Sequence, residues 1–133
     1  MDCIFCKIIA GQLPSFKVWE DDKFLAFLTI EPIRNGHTLV IPKKHENYLF
    51  DLDDKTLTEL ILAAKKVAQT LKKTFNPKSG KVGVIVYGFD APHAHIHLVP
   101  MDQPGDLAFS KQHKASNQEL ELTLEKIKEN TSA

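Results

Sequence analysis

Residues 87–100 read Tyr87-Gly88-Phe89-Asp90-Ala91-Pro92-His93-Ala94-His95-Ile96-His97-Leu98-Val99-Pro100, and they hold three of the chain's six histidines at alternate positions. The residues between and after them, Ala94, Ile96 and Leu98, are apolar. A period of two belongs to a β-strand, not to a helix. The spacing therefore predicts one strand with His93, His95 and His97 in a row on one face, each about 7 Å from the last. Ala94, Ile96 and Leu98 turn to the opposite face, into a core. Pro92 and Pro100 bracket the segment, where a missing N–H is easiest to tolerate. A single strand histidine is ordinarily a half-buried polar residue with one hydrogen bond. Three in a row need a partner for every ring nitrogen. Two chemistries fit: a metal site, or proton and nucleophile chemistry near neutral pH.

The whole chain sets the frame. At 133 residues it has the size of one domain, 1–133. A hydrophobic share of 43% with 26% charged residues is a globular composition. Lys+Arg and Asp+Glu number 17 each, so no basic excess points to nucleic acid or an anionic membrane. No apolar run is long enough to span a bilayer, and no basic segment precedes a long apolar one at the start. The expected compartment is the reducing cytoplasm, where Cys3 and Cys6 read as thiols or metal ligands before they read as a disulfide.

Outward from the histidines, the elements follow in order. Residues 1–11 predict one short helical turn, with Phe5, Ile8 and Ile9 at helical spacing and Gly11 at its end. Cys3-x-x-Cys6 has metal-knuckle spacing but lacks a second pair, so a zinc there would take histidines as its other ligands. A redox reading ranks lower, because no strand precedes the motif. Phe16 to Glu20 and Lys23 to Leu28 form a hairpin about the Asp21-Asp22 turn. Residues 29–36 are a loop, and His37 to Ile41 is a third strand. Lys43 and Lys44 after it are solvated charges. Asp51 to Phe75 is the longest element, a helix whose inward face is Leu57, Leu60, Ile61, Ala64, Val67, Ala68, Leu71 and Phe75. Asp51 or Asp53 caps its start, and Asn76-Pro77 stops it. Lys81 to Tyr87 is a strand that leads into the histidine strand. Residues 103–114 are irregular. Ser116 to Lys128 is a second amphipathic helix, with Ser116 as cap and Glu119 closing a capping box. The architecture is α+β: about five antiparallel strands, one long helix and a C-terminal helix.

These segments resemble the histidine triad (HIT) superfamily. The triad is His93-x-His95-x-His97. Cys3-Ile-Phe-Cys-Lys-Ile-Ile-Ala-Gly11 looks like the family's opening and Glu20 to Phe27 like its first hairpin. Gly36-His-Thr-Leu-Val-Ile-Pro-Lys-Lys-His45 looks like its third strand. The match covers residues 1–101, with 102–133 as a C-terminal extension; Gly88 to His93 looks like a bacterial branch, and the opening Cys3-x-x-Cys6 looks like that of the zinc-binding branches.

The resemblance implies a HIT-like fold and a nucleotide hydrolase or transferase acting at the α-phosphate. Its substrates would be nucleoside phosphoramidates or dinucleoside polyphosphates. His95 would be the nucleophile and form a nucleotidyl-histidine. His97 would donate to a phosphate oxygen, and His93 and His37 would complete the cluster. Apolar residues Ile4, Phe5, Ile8, Phe27 and Ile30 match the base pocket. Thr29 stands where the family often has a ribose-binding aspartate, and Asp90 where better-known members have serine. Asp90 would protonate an amine leaving group if its pKa were raised, or bind an ammonium-bearing substrate if ionised. A structural zinc on Cys3, Cys6, His45 and His93, a purine nucleotide ligand and a homodimer are implied in the same way. Two other classes stay open. One is a purine nucleotide-binding module with little or no catalysis. The other is a metalloenzyme with catalytic zinc on His95, His97 and a third histidine.

Overall fold

The computed structural model describes residues 3–131. Four positions of the expected 1–133 domain, Met1, Asp2, Ser132 and Ala133, lie outside the described residues. Helix α1 (Ile4–Ile9) is the expected N-terminal turn, capped by the Cys3 thiol, which accepts from the Cys6 amide. Gly11 follows it at φ 78°, a conformation a side chain would strain. Strands β1 (Phe16–Glu20) and β2 (Phe24–Leu28) form the hairpin, whose turn is held by Asp21 Oδ1 accepting from the Lys23 and Phe24 amides. Strand β3 (Thr38–Pro42), helix α2 (Asp54–Phe75), β4 (Lys81–Ile85), β5 (Ile96–Met101) and helix α3 (Asn117–Glu129) complete the order. The five strands form one antiparallel sheet in the order β1-β2-β3-β5-β4.

Both faces of the sheet's centre are covered, which is why every residue of β2 and β3 is buried. On one face, Ala26, Leu28, Val40, Ile96 and Leu98 meet Leu60, Ala64, Val67 and Leu71 of α2 and Leu120 and Ile127 of α3. Fully burying each such leucine contributes roughly 1.5–3 kcal/mol. On the other face Leu25, Phe27, Leu39 and Ile41 meet Cys3, Phe5 and Ile8 around α1. Among the described residues, no helix is long and apolar enough to cross a membrane.

The structure corrects several expectations. The extended row of histidines is shorter than its alternation implies: β5 starts at Ile96, so only His97 of the three lies in the sheet. The backbone ahead of it is used elsewhere. The Ala94 amide donates to Glu46 O at 2.6 Å, and the His93 carbonyl accepts a side-chain proton from His95. The face assignment holds, since Ala94, Ile96 and Leu98 all enter the α2 core. Strand β4 stops at Ile85, two residues early, because it is an edge strand with no ladder to continue. On α2, Ile61 is half exposed, and the inward stripe runs through Ala63 and Thr74 instead. Lys43 pairs with Glu20 at 2.8 Å rather than standing free. Asp53, not Asp51, caps α2, and Asn76 ends it in the left-handed region at φ 42°. Ser116 caps α3, but Glu119 takes the Ser116 hydroxyl at 3.2 Å, not its amide, so the box is not the reciprocal one expected.

Candidate functional site

Cys3 and Cys6 sit one helical turn apart on α1. His45 follows β3, and His93 precedes β5. Together, their ligand atoms lie within 4.8 Å of one another. Cys3 Sγ is 3.4 Å and Cys6 Sγ 3.6 Å from His93 Nδ1; His45 Nδ1 is 3.2 Å from both Cys6 Sγ and His93 Nδ1. A zinc ion held at ordinary Zn–N and Zn–S lengths spaces its tetrahedral ligands about 3.3–3.8 Å apart. The separations here, 3.2–3.6 Å, lie close to those edges, with the two that involve His45 slightly shorter. His93 Nε2 donates to the Pro42 carbonyl at 2.7 Å, so its lone pair is on Nδ1, facing the thiols. That outer hydrogen bond is the usual way a ligating imidazole is oriented. Burial, and then the adjacent Cys3, push the Cys6 thiol up to about 11. A bound cation would reverse that shift and draw Cys6 to its thiolate. The residues fit a closed, four-ligand zinc site.

The second cluster is a chain of fixed protons. His37 lies just ahead of β3, and its Nδ1 accepts from the Ile33 amide at 3.0 Å. A backbone N–H cannot be an acceptor, so the His37 proton is on Nε2. Burial first, and then His97, lower His37 to about 3, which keeps it neutral. His37 Nε2–H then donates to His97 Nδ1 at 2.9 Å. This leaves His97 Nε2 as an N–H pointing out of the sheet. His95 Nδ1–H donates to the His93 carbonyl at 2.6 Å, so its other nitrogen, Nε2, faces the same space. The two rings are 4.9 Å apart, centre to centre, closer than strand spacing would place them.

Asp90 closes this space. Its Oδ1 is 2.9 Å from His95 Nε2 and its Oδ2 3.1 Å from His97 Nε2. The His97 contact is ionic in distance but lies off the hydrogen-bond direction, so that buried N–H has no true acceptor. Burial opposes the Asp90 charge, yet the hydrogen bonds and charges of His95 and His97 outweigh it and hold the carboxyl well below its ordinary range. For His95, burial also opposes the charged form, and the Asp90 and His93 contacts outweigh it and raise the ring. An Asp90 with a raised pKa, able to act as a resting acid, is therefore overturned.

The expected base-pocket residues separate into two groups. Phe5 and Phe27 stack edge to face at 5.4 Å with Ile8 beside them, and Phe5 also meets the His93 and His95 rings. Ile4 and Ile30 are exposed. Thr29 Oγ1 accepts the Glu31 amide at 3.2 Å, which folds the loop locally. That loop is pinned from the C-terminal extension: the His113 and Ala115 amides donate to the Pro32 and Ile30 carbonyls, and Gln112 Nε2 to the Glu31 carbonyl.

Sequence reasoning missed Phe109, whose ring meets His97 at 5.2 Å and Tyr87 at 4.9 Å. It lies in a short 3-10 turn of the irregular stretch, with no periodic signal. Which main-chain groups orient the rings (the Pro42 and His93 carbonyls and the Ile33 amide) was not readable, since a main-chain group carries no residue identity.

A family model for the HIT domain matches residues 10–104. The chain belongs to the HIT-domain family. It is 41% identical over 135 residues to an uncharacterized HIT-like protein of Borreliella burgdorferi, covering 96% of this chain and 92% of that one. It is 42% identical over 101 residues to the adenosine 5'-monophosphoramidase HNT1 of Saccharomyces cerevisiae, covering 74% of this chain and 61% of the yeast protein. A crystal structure of a Zn-bound histidine triad family protein from Mycobacterium smegmatis superposes with a TM-score of 0.78 at 26% identity, covering 97% and 95% of the two chains. At the level of the HIT family, the nucleotide-hydrolase class is supported by the yeast relatives.

Proposed function

We propose that this HIT protein cleaves nucleoside phosphoramidates or dinucleoside polyphosphates at the α-phosphate, through a nucleotidyl intermediate on His95. The observation that carries the reading is the proton chain from the Ile33 amide through His37 to His97. It fixes an outward N–H on His97, a donor for a phosphoryl oxygen. The same fixed proton disfavours the metalloenzyme alternative, because a nitrogen that carries hydrogen cannot ligate a metal. Asp90, His95 and His97 do cluster at ligand distance, but the His97 nitrogen turned to that space is the one that carries hydrogen.

In the reaction, His95 first gives up the Nε2 proton that it holds against the Asp90 carboxylate, and the freed lone pair forms a bond to phosphorus as the bond to the leaving nitrogen or oxygen breaks. The leaving group takes up that proton. Water then attacks the same phosphorus, releases the nucleoside monophosphate and restores His95. The His93 carbonyl holds the Nδ1 proton throughout, stabilising the positive charge that develops on the ring. Cys3, Cys6, His45 and His93 would hold a zinc ion that cross-links α1 to the segment carrying His95. Phe5, Ile8 and Phe27, which are buried side by side, would lie beneath a purine base, with exposed Ile4 and Ile30 at its rim and Thr29 toward the ribose.

A homodimer is part of this reading. The β4 edge is open on one side, exposed Val84 shares a groove with half-exposed Ile61 on α2, and Val86 just beyond the strand is also exposed. Together they make the kind of apolar edge that a second copy covers.

The test is hydrolysis of a panel of adenosine and guanosine phosphoramidates and dinucleoside polyphosphates by wild-type protein and His95→Gly. The reading expects wild-type turnover without added metal and a loss of at least about 10³-fold in the variant. Tight nucleotide binding with no turnover of any substrate would instead establish the binding-module alternative.

A further inference from the structure

Asp90 is placed to do more than neutralise a histidine. Its two oxygens reach Nε2 of both His95 and His97, at 2.9 and 3.1 Å. Those are the two atoms that the proposed reaction turns toward phosphorus and toward a phosphoryl oxygen. A carboxylate and a phosphoryl group cannot both stand there. His95 is 3% and His97 2% exposed, so the position has no room to spare. Asp90 reaches in from the loop between β4 and β5, where Gly88 takes φ 87° with nothing within 4 Å of where a Cβ would stand. Phe89, beside it, is 86% exposed. The loop is anchored on either side of Asp90, by Tyr87 against Phe109 at 4.9 Å and by buried Ala91, while Gly88 and Phe89 between them face open space.

We infer that the Asp90 carboxylate is the resident anion of the phosphoryl position, and that every ligand must displace it on entry. The inference rests on the proposed phosphoryl role of the His95–His97 face. Displacement imposes one common penalty on all oxyanions, equal to the fraction of molecules with the position open. An isolated phosphate has nothing else with which to offset it. A nucleoside phosphate also gains contacts to the Phe5–Phe27 side. Asp90 thus raises the threshold for every oxyanion alike: free inorganic phosphate, with no other contacts, falls below it at concentrations where a nucleotide still enters, although the ratio of the two affinities is unchanged.

The test is calorimetric titration of the zinc-loaded wild-type protein, Asp90→Ala, Asp90→Asn and Asp90→Glu with orthophosphate and with AMP, at one pH and at low and high salt. If Asp90 fills the position about nine-tenths of the time, Asp90→Ala and Asp90→Asn bind both probes about 10-fold more tightly. Asp90→Glu stays near wild type. The gain persists at high salt, because occupancy is a matter of space and a direct contact, whereas repulsion at a distance is screened. Phosphate binding as weak in Asp90→Ala and Asp90→Asn as in wild type overturns the inference, and so does a gain that vanishes in salt. The two readings fail separately. Tighter phosphate binding in a protein that never turns over a nucleotide upholds the resident anion and ends the hydrolase. Turnover with unchanged phosphate affinity does the reverse.

Discussion

The main-chain carbonyl of His93 accepts the Nδ1 proton of His95 at 2.6 Å, while the His93 ring lies among Cys3, Cys6 and His45. One residue thus belongs to the candidate metal site by its side chain and to the proposed nucleophile by its backbone. Loosening the cluster would let the carbonyl drift and the His95 ring turn. Purified protein is therefore expected to carry about one zinc per chain. Cys6→Ser should lose that metal by elemental analysis and lower kcat about 10- to 100-fold, the usual scale for groups that orient a site. Metal-free protein with full kcat would show that the two clusters are independent.

That coupling also explains what the sequence could and could not show. The alternation of Ala94, Ile96 and Leu98 with the histidines placed each side chain on its correct face, because burial under α2 acts on side chains. It misplaced the start of β5, because the Ala94 amide and the His93 carbonyl are spent on Glu46 and His95 rather than on a neighbouring strand. Strand β3 was legible from its Leu, Val and Ile content, and β2 as the strand returning from the Asp21-Asp22 turn. Ile61 was not, since an apolar residue at the margin of a helical stripe looks the same whether it meets a sheet or solvent. The meeting of Cys3, Cys6, His45 and His93 followed from resemblance alone; spacing gave only the first two. The Asp90 bridge to His95 and His97 had no local signature at all.

His37 makes stability depend on pH. Its folded value is lowered to about 3, against an ordinary 6.5 in the unfolded chain. The unfolded state therefore binds the proton first. This contribution is complete above pH 6.5 and is lost as pH falls from there toward 3, with a slope of at most about 1.4 kcal/mol per pH unit. Urea midpoints taken across that window should fall less steeply in His37→Gln than in wild type. Parallel slopes would remove His37 as the cause.

Gly36, the residue before His37, sits at φ 91°, and a Cβ there would come within 2.5 Å of the Phe75 ring. Gly36→Ala combines a left-handed backbone with an overlap against the end of α2. It should cost about 2–4 kcal/mol by chemical denaturation. A change below about 0.5 kcal/mol would mean that Phe75 moves aside freely.

The open β4 edge predicts the assembly. Val84→Lys, at an exposed position away from the histidines, should convert a dimer to a monomer in analytical ultracentrifugation. A wild-type monomer at micromolar concentration would remove the dimer from the account.

The central claim is that His95 carries the nucleotide. The direct measurement is rapid mixing of the protein with an adenosine phosphoramidate, an alkaline quench, and mass spectrometry of the intact chain and its peptides. The account predicts a transient adenylyl group on the peptide containing His95. It should form and decay at rates matching turnover, be absent in His95→Gly, and accumulate more slowly in His97→Gln by about 10²–10³-fold. Steady turnover with no adduct at any time, or an adduct on another residue, would contradict it.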